Sequence, residues 1–403
     1  MPPFILPELP KIPCALTAFA RASVLLLMLA SLYGAPAALA SEAPAAGAGM
    51  AAAAPANAVT STTTATNPAS KPAAGSAASE SVVTPHLALL LPTQSKVFAR
   101  HAGAVREGFL AAVKVAGKAA LTVREYPLNG EVADALRAYR AAIAAGAQLV
   151  VGPLTRDAVT AIAFGEPVPV PTLALNLPDQ TGRKPDRLYM LGLQVETEGR
   201  QAAQLAWREN RRRALVVSSG SAMQRRLYAA FTAEFVRLGG SVLSEIATAD
   251  PQRLKSALRG EPDMAFIALD FEEARTARPY LGSLPAYAGA NANGGERGAL
   301  AGHDLADVGF VDMPWLIEPD HAAVMLYPRP AATTPELERL YALGIDAWRV
   351  AQLLSANPRE LRLDGVTGDL LLLQGGLIDR TLRAARYAEG RARLIEAPRE
   401  PLR

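Results

Sequence analysis

Apolar and polar positions alternate between two periods along most of the chain. His86 to Leu91 is a short continuous apolar run, which predicts a strand buried on both faces. After Pro92 and Thr93, Val105, Phe109, Ala112 and Val113 recur at helical spacing. Leu121 to Tyr126 alternates as a strand does, and Glu131 to Ala145 reads as a helix closed by Gly146. Gln148 to Val151 is a third strand, ended by Gly152 and Pro153. Thr155 then stands at an N-cap position, before a helix carrying Ala158, Ile162 and Ala163. Pro171 to Asn176 is a fourth strand. The grammar then repeats after a helix over Glu196 to Glu209. Arg213–Ser218, Val242–Ala247, Met264–Leu269 and Pro285–Gly289 read as strands. Met223–Leu238, Pro251–Leu258 and Glu272–Leu281 read as helices. Strands alternating with helices imply parallel sheets covered on both faces. The predicted fold class is therefore α/β: two Rossmann-like lobes with parallel sheets and a cleft at the carboxyl ends of their strands. Lobe 1 is expected over 86–192 and lobe 2 over 193–311. The remainder has too few elements for a third domain and is expected to complete both, 312–355 in lobe 1 and 356–395 in lobe 2. The repeated crossings make a multi-strand hinge.

The start of the chain follows other rules. Lys11 and Arg21 precede an apolar run from Ala22 to Leu32, and Ala38-Leu39-Ala40 precedes Ser41. A basic start, a short apolar core and a small-residue end predict a secretory signal peptide over 1–40 and a periplasmic location. Ala22 to Ser41 is uncharged for 20 residues, so a retained anchor is the alternative. Cys14 lies ahead of the apolar core, whereas a lipid-bearing cysteine follows it. No lipobox therefore supports outer-membrane association, which stays an alternative. Of the 45 residues from 41 to 85, 36 are Ala, Ser, Thr, Pro or Gly. So little bulky apolar surface does not offset the entropy of ordering, and a disordered tether is expected.

Composition narrows the chemistry. The chain has 403 residues, half of them apolar, with 41 Lys plus Arg against 38 Asp plus Glu. A net charge of +3 and an exported location argue against nucleic acid as a partner. The single cysteine excludes a disulfide framework. His86, His101, His303 and His321 show no ligand spacing, so no metal is expected. His86 leads into a strand and the other three read as surface or loop residues. Ser221 lacks the Gly-x-Ser-x-Gly elbow of a hydrolase. No catalytic residue and no cofactor are predicted. An enzyme stays open only through a triad assembled from distant residues.

Certain words carry a resemblance. Leu87-Ala-Leu-Leu-Leu-Pro92 with Arg106-Glu-Gly-Phe109-Leu-Ala-Ala112 resembles the opening of the periplasmic-binding-protein type I fold. Val150-Val-Gly-Pro-Leu154, Pro171-Thr-Leu-Ala-Leu-Asn176, Arg226 before Phe231, and Leu238-Gly-Gly240 resemble the LppC/LpoA family of penicillin-binding-protein activators. So do Arg339-Leu-Tyr-Ala-Leu-Gly344-Ile-Asp-Ala-Trp348 and Gly365-Val-Thr-Gly368. The likeness runs from about 87 to 390. It implies a non-enzymatic regulator that binds a class A penicillin-binding protein, a peptidoglycan synthase, and stimulates it, with peptidoglycan or a small ligand as further partners. Typical members are outer-membrane lipoproteins with a helical-repeat domain ahead of this one, and the tether occupies that place here. The fold also permits the alternative of a periplasmic solute-binding protein of an ABC transporter, taking an amino-acid-like or muropeptide ligand.

Helix starts favour anions, and in amino-acid-binding relatives of the fold such loops hold the ligand. Thr155, Asn176, Ser219 and Ser221 are accordingly the cleft candidates, against the plainer roles of capping a helix and closing a turn. Arg211, Arg212 and Arg213, with Arg208, are the candidate surface for an acidic partner, against the plainer role of offsetting a helix C-terminus. Arg380, Arg383, Arg386, Arg391 and Arg393 fall near helical spacing and read as a solvated face. Asp346 lies on an apolar helix face, where it pairs with a buried arginine or caps a loop. Trp315 reads as buried packing.

Overall fold

The continuous apolar run that opens at His86 becomes β1 (His86–Leu91), and all six of its residues are buried. A computed structural model describes residues 84–117, 122–246, 250–295, 301–331, 333–356 and 360–395. The expected leader and nearly all of the expected tether lie outside the described residues. Around β1 the first sheet runs β2 (Thr122–Pro127), β1, β3 (Ala147–Val151), β4 (Thr172–Ala174) and β5 (Leu188–Met190), all parallel.

Alternation along β1 sends side chains to opposite faces. Ala88 and Leu90 meet α2 (Val132–Ala144) and α3 (Arg156–Gly165) through Ala135, Tyr139 and Ile162. Leu87, Leu89 and Leu91 meet α1 (Ala99–Ala116) through Val105 and Phe109. That second face is closed by a helix from far down the chain, α10 (Pro335–Ser355), whose Trp348 meets Phe109 edge to face at 5.4 Å. Two glycines allow the close approach. A Cβ on Gly108 would lie 1.9 Å from the Tyr341 carbonyl oxygen, and one on Gly344 would lie 2.0 Å from the Val105 oxygen.

The second sheet is built on β6 (Arg213–Ser218). Its order is β15 (Arg391–Leu394), β14 (Arg383–Ala388), β10 (Val308–Asp312), β9 (Ala286–Ala288), β8 (Met264–Ala268), β6 and β7 (Ser241–Ile246). The five strands from β10 to β7 are parallel. β14 and β15 run antiparallel, so this sheet is mixed where an all-parallel one was expected. The reason is local: a tight turn at Glu389 and Gly390 joins β14 to β15, a connection that only antiparallel neighbours can make. α4 (Val195–Arg208) and α5 (Ala222–Arg237) cover one face, where Phe231 stacks on Phe266 at 3.9 Å. α6 (Pro251–Leu258) and α7 (Phe271–Ala277) cover the other.

The chain passes between the sheets three times. Residues 191–194 join β5 to α4. Residues 313–334, holding the short helices α8 (Pro314–Ile317) and α9 (Ala322–Met325), join β10 to α10. Residues 356–382 join α10 to β14 and form a third, antiparallel sheet of β11 (Arg362–Asp364), β12 (Asp369–Leu372) and β13 (Ile378–Thr381). Leu377 bridges to Met190 of β5. The apolar core does not stop at the crossings. Leu191, Val311, Met313, Trp315, Val366 and Ile378 join the α1–α10 face of one sheet to the α4–α5 face of the other.

The C-terminal arginines form no helix. Arg380 is on β13, Arg383 and Arg386 on β14, and Arg391 and Arg393 on β15. A three-residue interval fits a helix, but here it spans the break at Leu382, between two strands. Nor is the set uniformly solvated, since Arg380 is buried at 3% exposure. Trp315 is fully buried, with Arg329 4.2 Å over its ring.

Candidate functional site: the cleft and its hinge

Thr155 and Asn176 follow β3 and β4, at the carboxyl end of the first sheet. Ser219 and Ser221 follow β6, at the corresponding end of the second. Asn176 ties two loops of the first sheet together: Nδ2 donates to the Leu154 carbonyl in the loop after β3 at 3.1 Å and Oδ1 accepts from Leu177 N at 2.9 Å. Thr155 is the N-cap of α3 by backbone geometry, without a side-chain capping bond. Ser221 caps α5 by accepting from Gln224 N at 3.2 Å. Ser219 is half-buried. The buried Ser218 hydroxyl accepts from Gly220 N at 3.2 Å. Against the upward push of partial burial, the hydrogen bond from Arg226 holds the Glu196 carboxyl, near the start of α4, below its usual range, and the charge of Arg156 at the start of α3 adds a smaller pull. Glu196 itself accepts from Arg226 Nε at 2.7 Å.

The arginine triplet is engaged within the chain. Arg212 lies 3.5 Å over the Trp207 ring and donates to the Trp207 and Arg211 carbonyls. Arg213 donates to the Gly260 carbonyl at 2.6 Å, and Arg211 to the Tyr287 hydroxyl at 3.4 Å. Asp263 receives the Arg212 and Arg213 backbone N–H groups.

A groove of about 900 Å³ lies elsewhere, between α4 and the β13–β15 segment. Arg200, Arg208 and Asp379 contribute to its lining, and Arg383, also on its wall, is held by Asp369 at 2.8 Å and Glu318 at 3.3 Å. None of the four cleft candidates lines it.

The densest polar chemistry is buried where the crossings meet. Arg339, on α10, donates to both carboxylate oxygens of Asp312, at 3.2 and 2.7 Å, and to the Ala290 carbonyl at 2.7 Å. Asn293 Nδ2 also donates to Asp312, at 2.8 Å. Glu198, on α4, accepts from Ala290 N at 3.0 Å. Burial pushes the Glu198 carboxyl up, against the pull of Arg380 and Arg339. Asp346 accepts from Val366 N, Thr367 N and the Thr367 hydroxyl at 3.1, 2.8 and 2.6 Å, and from Arg349. Of the two alternatives for Asp346, the loop cap is realised; the arginine it meets, Arg349, is only partly buried. His321 is buried, not a surface residue. Its Nδ1 accepts from Ala323 N, so Nε2 is left to donate to Asp364 at 2.9 Å. Glu198, Asp312, Arg339 and Arg380 went unremarked in the sequence as a group, because they come from four separated segments. Arg380 carried a signal in its alternation with Ile378, a buried strand position two residues away.

The LppC family profile, described as "LppC putative lipoprotein", matches residues 77–259 and 252–390. The chain belongs to that family. It is 26% identical over 301 residues to the penicillin-binding protein activator LpoA of Pantoea ananatis, covering 61% of this chain and 44% of that protein. It is 27% identical over 296 residues to the LpoA of Edwardsiella piscicida, covering 61% and 42%. The chain thus spans less than half the length of the curated relatives it matches. Among solved structures it resembles the C-domain of LpoA (YraM) from Haemophilus influenzae, a regulator of PBP1A. The TM-score is 0.66 at 21% identity, over 77% of this chain and all of that one. It also resembles a "putative branched-chain amino acid ABC transporter" from Chromobacterium violaceum, with TM-score 0.65 at 37% identity, over 75% and 99%. The periplasmic-binding-protein type I fold expected from the sequence is the fold observed.

Proposed function

We propose that this LppC-family chain is a non-enzymatic periplasmic regulator that binds a class A penicillin-binding protein and stimulates peptidoglycan synthesis. The observation that carries the proposal is the family match across 77–390, together with relatives named as penicillin-binding protein activators. The site supports it in a second way. The cleft candidates Asn176 and Ser221 are occupied in loop and cap bonds, which suits a body that acts through its surface. Such a regulator shifts its synthase only through a difference in affinity between active and inactive arrangements. The test mixes the protein with its cognate class A synthase and follows glycan polymerisation and crosslinking. A rise in either rate is expected; no binding and unchanged rates would remove the proposal.

The 37% identity to the Chromobacterium violaceum protein favours a second reading, an ABC-transporter solute-binding protein. It predicts an unfolding temperature that climbs with the concentration of a branched-chain amino acid or muropeptide. A flat response leaves the regulator as the better reading.

A further inference from the structure

The buried polar contacts at the crossings close into a ring. Glu198 on α4 meets the backbone of Ala290, whose carbonyl meets Arg339 on α10. Further along the same helix, Asp346 holds Thr367 in the third crossing, and the Thr367 carbonyl accepts from Arg380 Nη1 at 3.2 Å. From β13 the ring returns to α4. Gln201 Nε2 donates to the Arg380 carbonyl and its Oε1 accepts from Leu382 N, each at 2.8 Å. We propose that this ring locks the two lobes in one relative orientation, so that the molecule works as a fixed body and not as a clamp closing on a ligand.

Three observations carry the inference. First, the ring joins separate sheets at two places: Arg339, on a helix of the first sheet, meets Ala290 and Asp312 of the second, and Gln201, on a helix of the second, meets β13 of the third. Any swing of one lobe on the other breaks one of these places. Second, its ionisable groups are all at least nine-tenths buried: Glu198, Asp312 and Asp346 with Arg339 and Arg380. Separating them would leave ions in a poorly solvated interior without partners, which is the costly state for a buried pair. Arg380 is the sharpest case: its Nη1 is bonded to the Thr367 carbonyl, while its Nε and Nη2 have no acceptor among the described residues. Third, the apolar core runs unbroken through the same crossings, so opening would also wet Leu191, Val311 and Ile378. Hinges that swing are a few loop residues that absorb a change of dihedral angle, whereas this one is stitched along all three strands of chain.

The test places spin labels at Val115→Cys on α1 and Val236→Cys on α5, both exposed, in a Cys14→Ser background that holds no other cysteine. Pulsed dipolar spectroscopy then reads the distance between lobes. One narrow distribution is expected, unmoved by millimolar leucine or by muropeptide. Glu198→Gln and Arg380→Met are each expected to broaden it at least twofold, and the double variant to broaden it no further than the wider single. A broad or two-peaked distribution in the parent overturns the inference, as does a ligand-driven shift. Variants as narrow as the parent also overturn it. If Arg380→Met does not fold, Gln201→Ala cuts the ring on the exposed side of α4 and is read by the same criterion. Loss of synthase stimulation would not alter these distances, so the two proposals fail separately.

Discussion

Glu234 shows how a single side chain sets a pH response. It accepts from Gln204 at 2.8 Å and from two nitrogens of Arg237 at 2.7 and 2.8 Å. The Arg237 hydrogen bond, aided by Gln204, holds its carboxyl down at about 2, below the ordinary 4.5. A depressed carboxyl adds stability that is complete above its unfolded value and is lost as pH falls through the folded one. Urea midpoints of the parent should therefore drop between pH 4.5 and pH 2, and Glu234→Gln should lower the midpoint at pH 7 and flatten part of that drop, the two proteins converging toward pH 2. An equal slope in both proteins would refute the assignment. Asp346 makes a harsher prediction, because it is fully buried and receives four donors. Asp346→Ala removes the acceptor for all of them, at a cost of about 3–5 kcal/mol by analogy with halved buried pairs. Asp346→Asn keeps one acceptor oxygen and should fall between, as denaturant titration would show. The sequence made Asp346 conspicuous as an acid on an apolar helix face. It could not show Val366 and Thr367 as its partners, because a loop 20 residues away has no local signature.

At the scale of elements, the helices and strands follow from periodicity, and their contacts do not. The 3.6-residue period locates α1, and the apolar helix face around Asp346 marks α10, yet only the fold shows that they cross at Gly108 and Gly344. In sequence, a glycine mid-helix merely weakens the helix. Here an added methyl would strike the backbone of the opposing helix, so Gly344→Ala should destabilise by about 1–3 kcal/mol despite its better helix propensity. Calorimetry checks this directly, and an unchanged melting temperature would show that the helices can part. The arginines from 380 to 393 are the opposite case. Charge alone carried the helical expectation, with no apolar stripe behind it, and charge has no period of its own. The apolar partners that fix those strands, Ile378 and Tyr387, were the better guide.

For the whole molecule, alternation of strand and helix was enough to announce two sheets. What it left out was the antiparallel margin of the second sheet and the small third one. The third sheet comes from segments too short to show a period, such as the three residues of β11, and β14 has the length to show one but carries two arginines and three alanines in place of an apolar alternation. The four cleft candidates were chosen by position after a strand, which is where loops of this fold point. Their hydrogen bonds depend on neighbours such as Leu154 O that no spacing reveals. At this scale the ring at the crossings also bears on partner choice. A body of fixed shape presents the same surface before and after docking, so the synthase binding proposed above should show one phase. Stopped-flow mixing would test this, and a slow second phase assignable to this chain would contradict it.

The last point concerns the order in which the polypeptide becomes available. The face of α1 that carries Val105 and Phe109 waits for α10, more than 200 positions later, and β10 waits for β14 to cover its flank. Neither half is a self-sufficient unit that could mature while the rest is still being made. A fragment halted at residue 334 should therefore remain sticky and protease-sensitive, whatever the length of its finished β-strands. For this architecture, nearly the entire chain must arrive before any of it is safe.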